Sequence, residues 1–296
     1  MSVTGARGRS PLGITAPPLA RPARRPGVGT VFRWELRKLI AQKRTYLGLG
    51  AALVVPLIFV VALLADSSGG PEGVPFGSYV RETGLAVPLV CLFFGALWLL
   101  PLITALVAGD IVATEDQNGT LKTILTRSVE RWHVFTGKLL AALAYTLVAL
   151  TGYVAIGLLA GGLIWGFDPL TTLSGTEVGV GRALFLTAAG TLTYFLPLSG
   201  MAAIAVLLST VTRNSAAAVV GTLMVSIFLQ ILGSIAALDW LDPYLLSTQF
   251  NAWQGFLREP VDWAPVVRAA WVSAAYGVPA VAVAFTVFLR RDVTGG

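Results

Sequence analysis

The chain has one cysteine, Cys91, one histidine, His133, and charged side chains at only 12% of its 296 positions. A single cysteine excludes an intramolecular disulfide and leaves the redox compartment open. Cys91 lies in an apolar run and reads as a small residue facing lipid or another helix. One histidine excludes a multi-histidine metal site within the chain. GxxxxGK[ST], HExxH and GxSxG are all missing, and with them the phosphate cradle, the zinc-peptidase pair and the nucleophile elbow. Gly109-Asp110 has no second aspartate within an apolar run to share a proton, which excludes an intramembrane aspartyl dyad. No catalytic residue, cofactor or metal is therefore expected in this chain. If ATP drives it, the ATPase is another polypeptide.

What is present is apolar sequence. Hydrophobic residues make up 55% of the chain, and the mean hydropathy is +0.77, above the roughly 45–50% apolar content of soluble domains. The composition is that of a polytopic membrane protein. Residues 1–28, rich in Pro, Gly and Arg and without an apolar h-region, are expected as a disordered basic tail and not a signal peptide. Over 29–45, Phe32, Leu36, Leu39 and Ile40 fall on one helical face and Arg33, Arg37, Lys38 and Arg44 mostly elsewhere. This predicts an amphipathic interfacial helix with Trp34 at headgroup depth. Six segments reach the roughly 20 apolar residues a membrane span needs: about 46–65, 85–109, 139–165, 183–209, 215–238 and 268–289. The predicted fold is an all-α six-transmembrane-helix bundle. Pro56, Pro88, Pro101, Pro197 and Pro279 lie within these spans and are expected to kink them. Gly157 and Gly161 form a GxxxG suited to close helix contact.

The charge is distributed by loop. The N-terminal region to 45, the 110–138 connection, the 210–214 turn and the C-terminal tail hold 17 of the 21 Lys and Arg and 6 of the 15 acids, a net +11. The other three loops hold 4 basic and 9 acidic residues, a net −5. The positive-inside rule makes the first set cytoplasmic, with both termini inside a plasma membrane. The basic excess is then a topology signal and not a nucleic-acid footprint. Ionisable residues are expected in loops, with Asp110 as an inner-leaflet boundary charge, and a lack of buried carboxylates argues against an ion-coupled carrier.

The 110–138 connection is the only long inter-span segment on that side. Leu121, Ile124 and Leu125 stand at i, i+3 and i+4, predicting a short helix with one apolar face, and Gly119 breaks the chain before it. A helix of about two turns does not persist alone in water, so it must lean on the membrane or a protein groove. Ser128 is expected to cap the following helix, with Glu130 in its first turn. Glu115, Asn118-Gly119-Thr120-Leu121, Leu125, Arg127, Arg131 and Gly137-Lys138 resemble the cytoplasmic signature of permease subunits of ABC-2 type transporters, approximately E-x-E-x-G-T-L-x-x-L-L-x-x-P-x-S-R and then G-K. Gln117, Ser128 and Glu130 depart from it, standing where glutamate, proline and serine are usual. The resemblance extends loosely over 29–296 as one ABC-2 type transmembrane domain. It implies a dimer of such permeases in the bilayer, homomeric or heteromeric, each served by a separate ATP-binding subunit holding ATP and Mg, whose groove receives the short coupling helix. The coupling residues it implies are Glu115, Gln117, Gly119, Thr120, Leu121, Lys122, Ile124, Leu125, Arg127 and Arg131. It also implies export, with a translocation path along spans two and five offered by Phe93, Phe94, Trp98, Met224, Phe228 and Gln230. So apolar a lining suits a hydrophobic or amphiphilic substrate.

Residues 239–267 carry Trp240, Tyr244, Phe250, Trp253, Phe256 and Trp263. They read equally as an aromatic belt at the outer interface and as a re-entrant outer gate formed by Tyr244, Phe250, Trp253 and Phe256. The function expected is that of a permease subunit of an ATP-driven exporter. Its rivals are a standalone carrier or channel, a lipid-modifying enzyme and a membrane scaffold.

Overall fold

A computed structural model describes residues 26–65, 70–120 and 129–290. The basic tail, up to residue 25, lies outside them, as do Leu121, Lys122, Ile124, Leu125, Arg127 and Ser128 of the 110–138 connection. Nine α-helices are present among the described residues: α1 (Val28–Ala41), α2 (Lys43–Ala65), α3 (Ala86–Gly95), α4 (Leu99–Ala108), α5 (Ala113–Gln117), α6 (Arg131–Trp165), α7 (Val180–Thr212), α8 (Ser215–Gly233) and α9 (Ala264–Leu289). Five of them, α2, α6, α7, α8 and α9, are long and apolar enough to cross a membrane.

The second expected span is not one helix. It is split at 96–98 into α3 and α4, which with its continuation through Gln117 is bent by 63° from α3; counted as one span, the pair brings the number to six. Pro101 is the third residue of α4, in the first turn, where a missing N–H breaks no intrahelical bond. Buried carbonyls around the break accept side-chain donors, in the case of Leu92 beside the helical bond it takes from the Ala96 N–H. Three helices supply them. Tyr153 of α6 donates its hydroxyl to the Cys91 carbonyl at 2.8 Å, Tyr194 of α7 to the Leu92 carbonyl at 3.1 Å, and Gln230 of α8 its amide to the Leu97 and Ala96 carbonyls.

The remaining boundaries move for local reasons. α6 begins at Arg131, two turns before the expected 139, with Glu130 as its extended N-cap instead of a first-turn residue. α8 stops at Gly233, not 238, and the chain continues in 3₁₀ turns over Ala236–Tyr244 and Thr248–Leu257. The surface helix ends at Ala41, and α2 starts at Lys43. Its buried face is Val31, Glu35 and Leu39, rotated from the expected stripe, while Phe32 and Leu36 are half-buried and Ile40 is exposed. The helix presses this face on α6, where Gly137 admits Val31: a Cβ there would lie 2.6 Å from the valine methyl.

The GxxxG of α6 makes its contact within the chain. Gly157 lies against Pro88 and Gly161 against Gly84 and Val87. At the same end, Thr83 and Gly84 bond to the carbonyls of Asp168 and Gly166, and a two-residue hairpin pairs Leu170 with Val178. Glu259 ties the 3₁₀ region to that hairpin, accepting from Thr176 at 2.9 Å and pairing with Arg182 at 3.3 Å. The two sets of loops separated by charge in the sequence thus gather at opposite ends of the bundle.

Replacing Gly161 with Leu is expected to destabilise the chain by about 1–3 kcal/mol through overpacking, because a Cβ would meet the Gly84 carbonyl at 2.7 Å and Val87 at 2.8 Å. Gly50→Ala in α2, where nothing lies within 4 Å, should leave thermal unfolding in detergent unchanged or slightly raised.

Candidate functional site

The basic end is where the chain concentrates its buried charge. Lys138, two turns into α6, is 1% exposed. An ammonium so placed must be paired and hydrogen-bonded. Its Nζ lies 3.1 Å from Glu35 Oε2 on α1 and 2.7 Å from Glu115 Oε2 on α5, and donates to the Ile111 carbonyl at 3.1 Å. Lys38, one turn after Glu35, closes the ring at 3.0 Å from Glu35 Oε1 and 2.6 Å from Glu115 Oε1. Two carboxylates and two ammonium groups alternate, with no net charge. α1, α5 and α6 meet on four side chains.

Burial alone would raise the Glu115 pKa, but attraction and hydrogen bonding from Lys138 and Lys38 outweigh it and hold the carboxyl below its ordinary range. For Lys38 burial acts downward, and Glu115 and Glu35 together push the ammonium above its ordinary value. Both groups are charged across neutral pH.

A second knot fixes the turn before α5. Asp110, 4% exposed, accepts from Arg44 of α2, Ser215 of α8 and Thr114 of α5. Arg44 also reaches Ser215 Oγ at 2.7 Å. Ser209 of α7 accepts from the backbone N–H of Val112 and Ala113 at 3.2 and 2.9 Å. Arg213, in the α7–α8 turn, stands 3.6 Å from Asp116. Five other helices therefore hold a five-residue helix too short to stand alone. Gly119 follows at φ 67°, in the left-handed region that ends the helix.

The expected coupling residues divide accordingly. Glu115 faces the bundle in the ring. Gln117, Gly119 and Thr120 are exposed, with Thr120 donating to the Glu115 carbonyl at 3.2 Å. Arg131 is half-buried and donates to the Leu289 carbonyl at the end of α9 at 2.7 Å. Asp110 stands at the expected end of its span but is no solvated boundary charge. The expectation that the chain lacks buried carboxylates is corrected here, since Glu35 and Asp110 are buried, as is Lys138. The amphipathic pattern of α1 did not reveal Glu35 on the packed face; a lysine after a glycine, Gly137-Lys138, was the available signal.

At the other end and along the bundle, Phe93 and Gln230 share a cavity of about 200 Å³ with Ser247, Thr248 and Asn251. Phe94 packs edge-on to Phe93 at 5.7 Å, while Trp98, Met224 and Phe228 are exposed on the single chain. The four aromatic gate candidates do not share one mouth. Phe250 packs on Tyr194 at 5.1 Å and Trp253 on Phe76 at 6.3 Å, both buried; Phe256 meets Trp263 and Tyr244 meets Trp271.

Long apolar helices knotted by buried charge at one end make this a polytopic helical membrane protein. The chain belongs to the DUF2705 family, described as a protein of unknown function, whose family model matches residues 53–294. That span includes Asp110, Glu115, Lys138, Ser209 and Ser215; α1 and Arg44 lie before it. No curated protein matches the chain.

The pKa directions give the ring a pH range. A lowered carboxyl contributes stability above its unfolded value of 4.5 and loses it as pH falls through the lower folded value; a raised ammonium contributes below 10.5 and loses it as pH rises through the higher folded value. Backbone amides of α1 should stay protected from hydrogen exchange between pH 5 and 10 and lose protection only in stronger acid or base. Release between pH 5 and 8 would show that the ring is not what holds α1.

Proposed function

We propose that the chain is the membrane-spanning permease subunit of an ATP-driven exporter, a six-span bundle with both termini cytoplasmic, acting with a separate ATP-binding subunit and a second permease copy. The observation that carries this reading is the position of α5. The resemblance to ABC-2 type permeases rests on residues 115–138, and the first of them are fixed into the bundle by the charge ring and the Asp110 knot, while Gln117 to Thr120 project outward. A partner that grips the segment after Gly119 and moves it would act on α5. From there the displacement passes to α4 by chain continuity, to α1 and α6 through Glu115, and to α2 and α8 through Asp110. Packed interfaces of this kind shift between discrete arrangements, and the nucleotide supplies the bias through differential contacts in the two states.

The carboxylates of the ring and of the Asp110 knot do not favour an ion-coupled carrier, because each has a cationic partner and together they sit at one end of the bundle. One cavity, about 510 Å³ between α6, α7 and α9, is apolar apart from Ser199 and Ser273, which suits a hydrophobic or amphiphilic substrate.

Two measurements test the reading. Cys91 is buried, so in an Asn118→Cys variant the new thiol should be labelled by an impermeant maleimide from the cytoplasmic side only. Where a neighbouring reading frame encodes a P-loop ATPase, the chain co-purified with that product and reconstituted in liposomes should stimulate ATP hydrolysis, and Leu121→Asp should reduce that stimulation roughly tenfold, as loss of an interface anchor does. Labelling from outside, or solute movement by the chain with no ATPase present, would overturn it.

A further inference from the structure

The end opposite the charge ring carries a polar cavity that the permease reading does not use. It measures about 330 Å³, at the lower end of small-molecule sites. Asp242, Thr248, Gln249, Asn251, Pro265 and Arg268 line it. Its two charged groups are unspent. Asp242 Oδ1 is buried with no hydrogen-bond partner, and among the described residues no ion pair within 4 Å joins Asp242 to Arg268 or either of them to another residue. Gln249 beside them is already engaged, its amide nitrogen within hydrogen-bond distance of the Pro243 and Leu245 carbonyls and Thr248 Oγ1.

The surroundings give the cavity a polarity. Asp242 Oδ1 is 3.4 Å from the position a Cβ would take on Gly233, the last residue of α8. The C-terminal end of a helix carries partial negative charge, so a carboxylate beside it is stabilised by a cation. Arg268 lies near the start of α9, where the helix end carries partial positive charge, and a guanidinium there offers a planar fork to a phosphate. One wall asks for a cation and the other for an anion. Trp271, one turn after Arg268, packs edge-on to Tyr244 at 5.9 Å, and both rings are exposed. Paired exposed aromatics of this kind mark headgroup depth in a bilayer.

The geometry points to a binding site for a phosphoethanolamine zwitterion, its primary ammonium on Asp242 and its phosphate on Arg268, whether free or as the headgroup of a phospholipid. A primary ammonium offers N–H donors to the Asp242 carboxylate where it lines the cavity, and a choline headgroup, which has none, does not. This site stands independently of the ATP-driven reading, since neither residue belongs to the segment proposed to couple.

The test is native mass spectrometry of the full-length chain, with added phosphatidylethanolamine, phosphatidylcholine or phosphatidylglycerol, beside titration with soluble O-phosphoethanolamine. Phosphatidylethanolamine should be retained over phosphatidylcholine by roughly tenfold, as expected where hydrogen bonds to a charged group are lost, and both Asp242→Asn and Arg268→Gln should abolish that preference. Arg268 is exposed, so the second variant tests the site without disturbing the core; both are checked for a monodisperse gel-filtration peak. Retention of O-phosphoethanolamine alone at the same affinity assigns the site to the free zwitterion, and retention of the lipid alone assigns it to the headgroup. Equal retention of the ethanolamine and choline lipids, or an Arg268→Gln variant that binds as the parent does, would overturn the proposal.

Discussion

An ammonium group with almost no exposure, two turns inside a helix, is the constraint on which the basic end of this protein depends. The burial of Lys138 is matched by Glu35 and Glu115, and those carboxylates cannot approach it unless α1 lies across α6 and α5 turns inward. Gly137 completes the condition by letting Val31 come close enough for Glu35 to reach. The dipeptide Gly137-Lys138 thus sets how an interfacial helix is seated, and through Glu115 it also sets the direction in which the chain leaves the bundle after Gln117.

The same second span carries the other irregular feature, the bend between α3 and α4. Carbonyls around it accept from Tyr153, Tyr194 and Gln230, one donor from each of three helices. A span held by hydrogen bonds at its break and by ionic contacts at its end is fastened at two points along its length, with α4 as the rigid piece between them. In the proposed permease this geometry converts a push on the exposed tip at Gln117 to Thr120 into a rotation of α4 against a fixed break. The cavity between α6, α7 and α9 and the polar cavity at Asp242 and Arg268 lie beyond that break or across the bundle from it.

Hydropathy made five of the six expected spans legible, α2, α7 and α9 almost to their ends, because a crossing helix must be apolar over its whole length and needs no partner to be recognised. Charge asymmetry separated the two sets of loops, which the structure gathers at opposite ends. The break at 96–98 was hidden because both halves are equally apolar, and Pro88 and Pro101 mark a kink without saying whether the helix continues. Glu35 and Lys138 were missed for a different reason. Sequence periodicity assigns charged residues to the outer face of an amphipathic helix, and a buried pair contributed by two segments about a hundred positions apart leaves no local pattern. Phe250 and Trp253, candidates for an outer gate by composition, are core residues, since an aromatic cluster looks the same in sequence whether it faces a mouth or a packed interior.

A double-mutant cycle between Glu35→Gln and Lys138→Met, read as the unfolding free energy of the full-length chain in detergent, tests the ring most directly. Each single change removes one of the two partners of a buried charge in the ring and should be costly, while the double variant should lose less than the sum by roughly 1 kcal/mol or more, the range for residues in one ionic network. Losses that add within about 0.5 kcal/mol would mean that α1 is held to α6 by its apolar face alone, and the ring would lose its place at the centre of the structure.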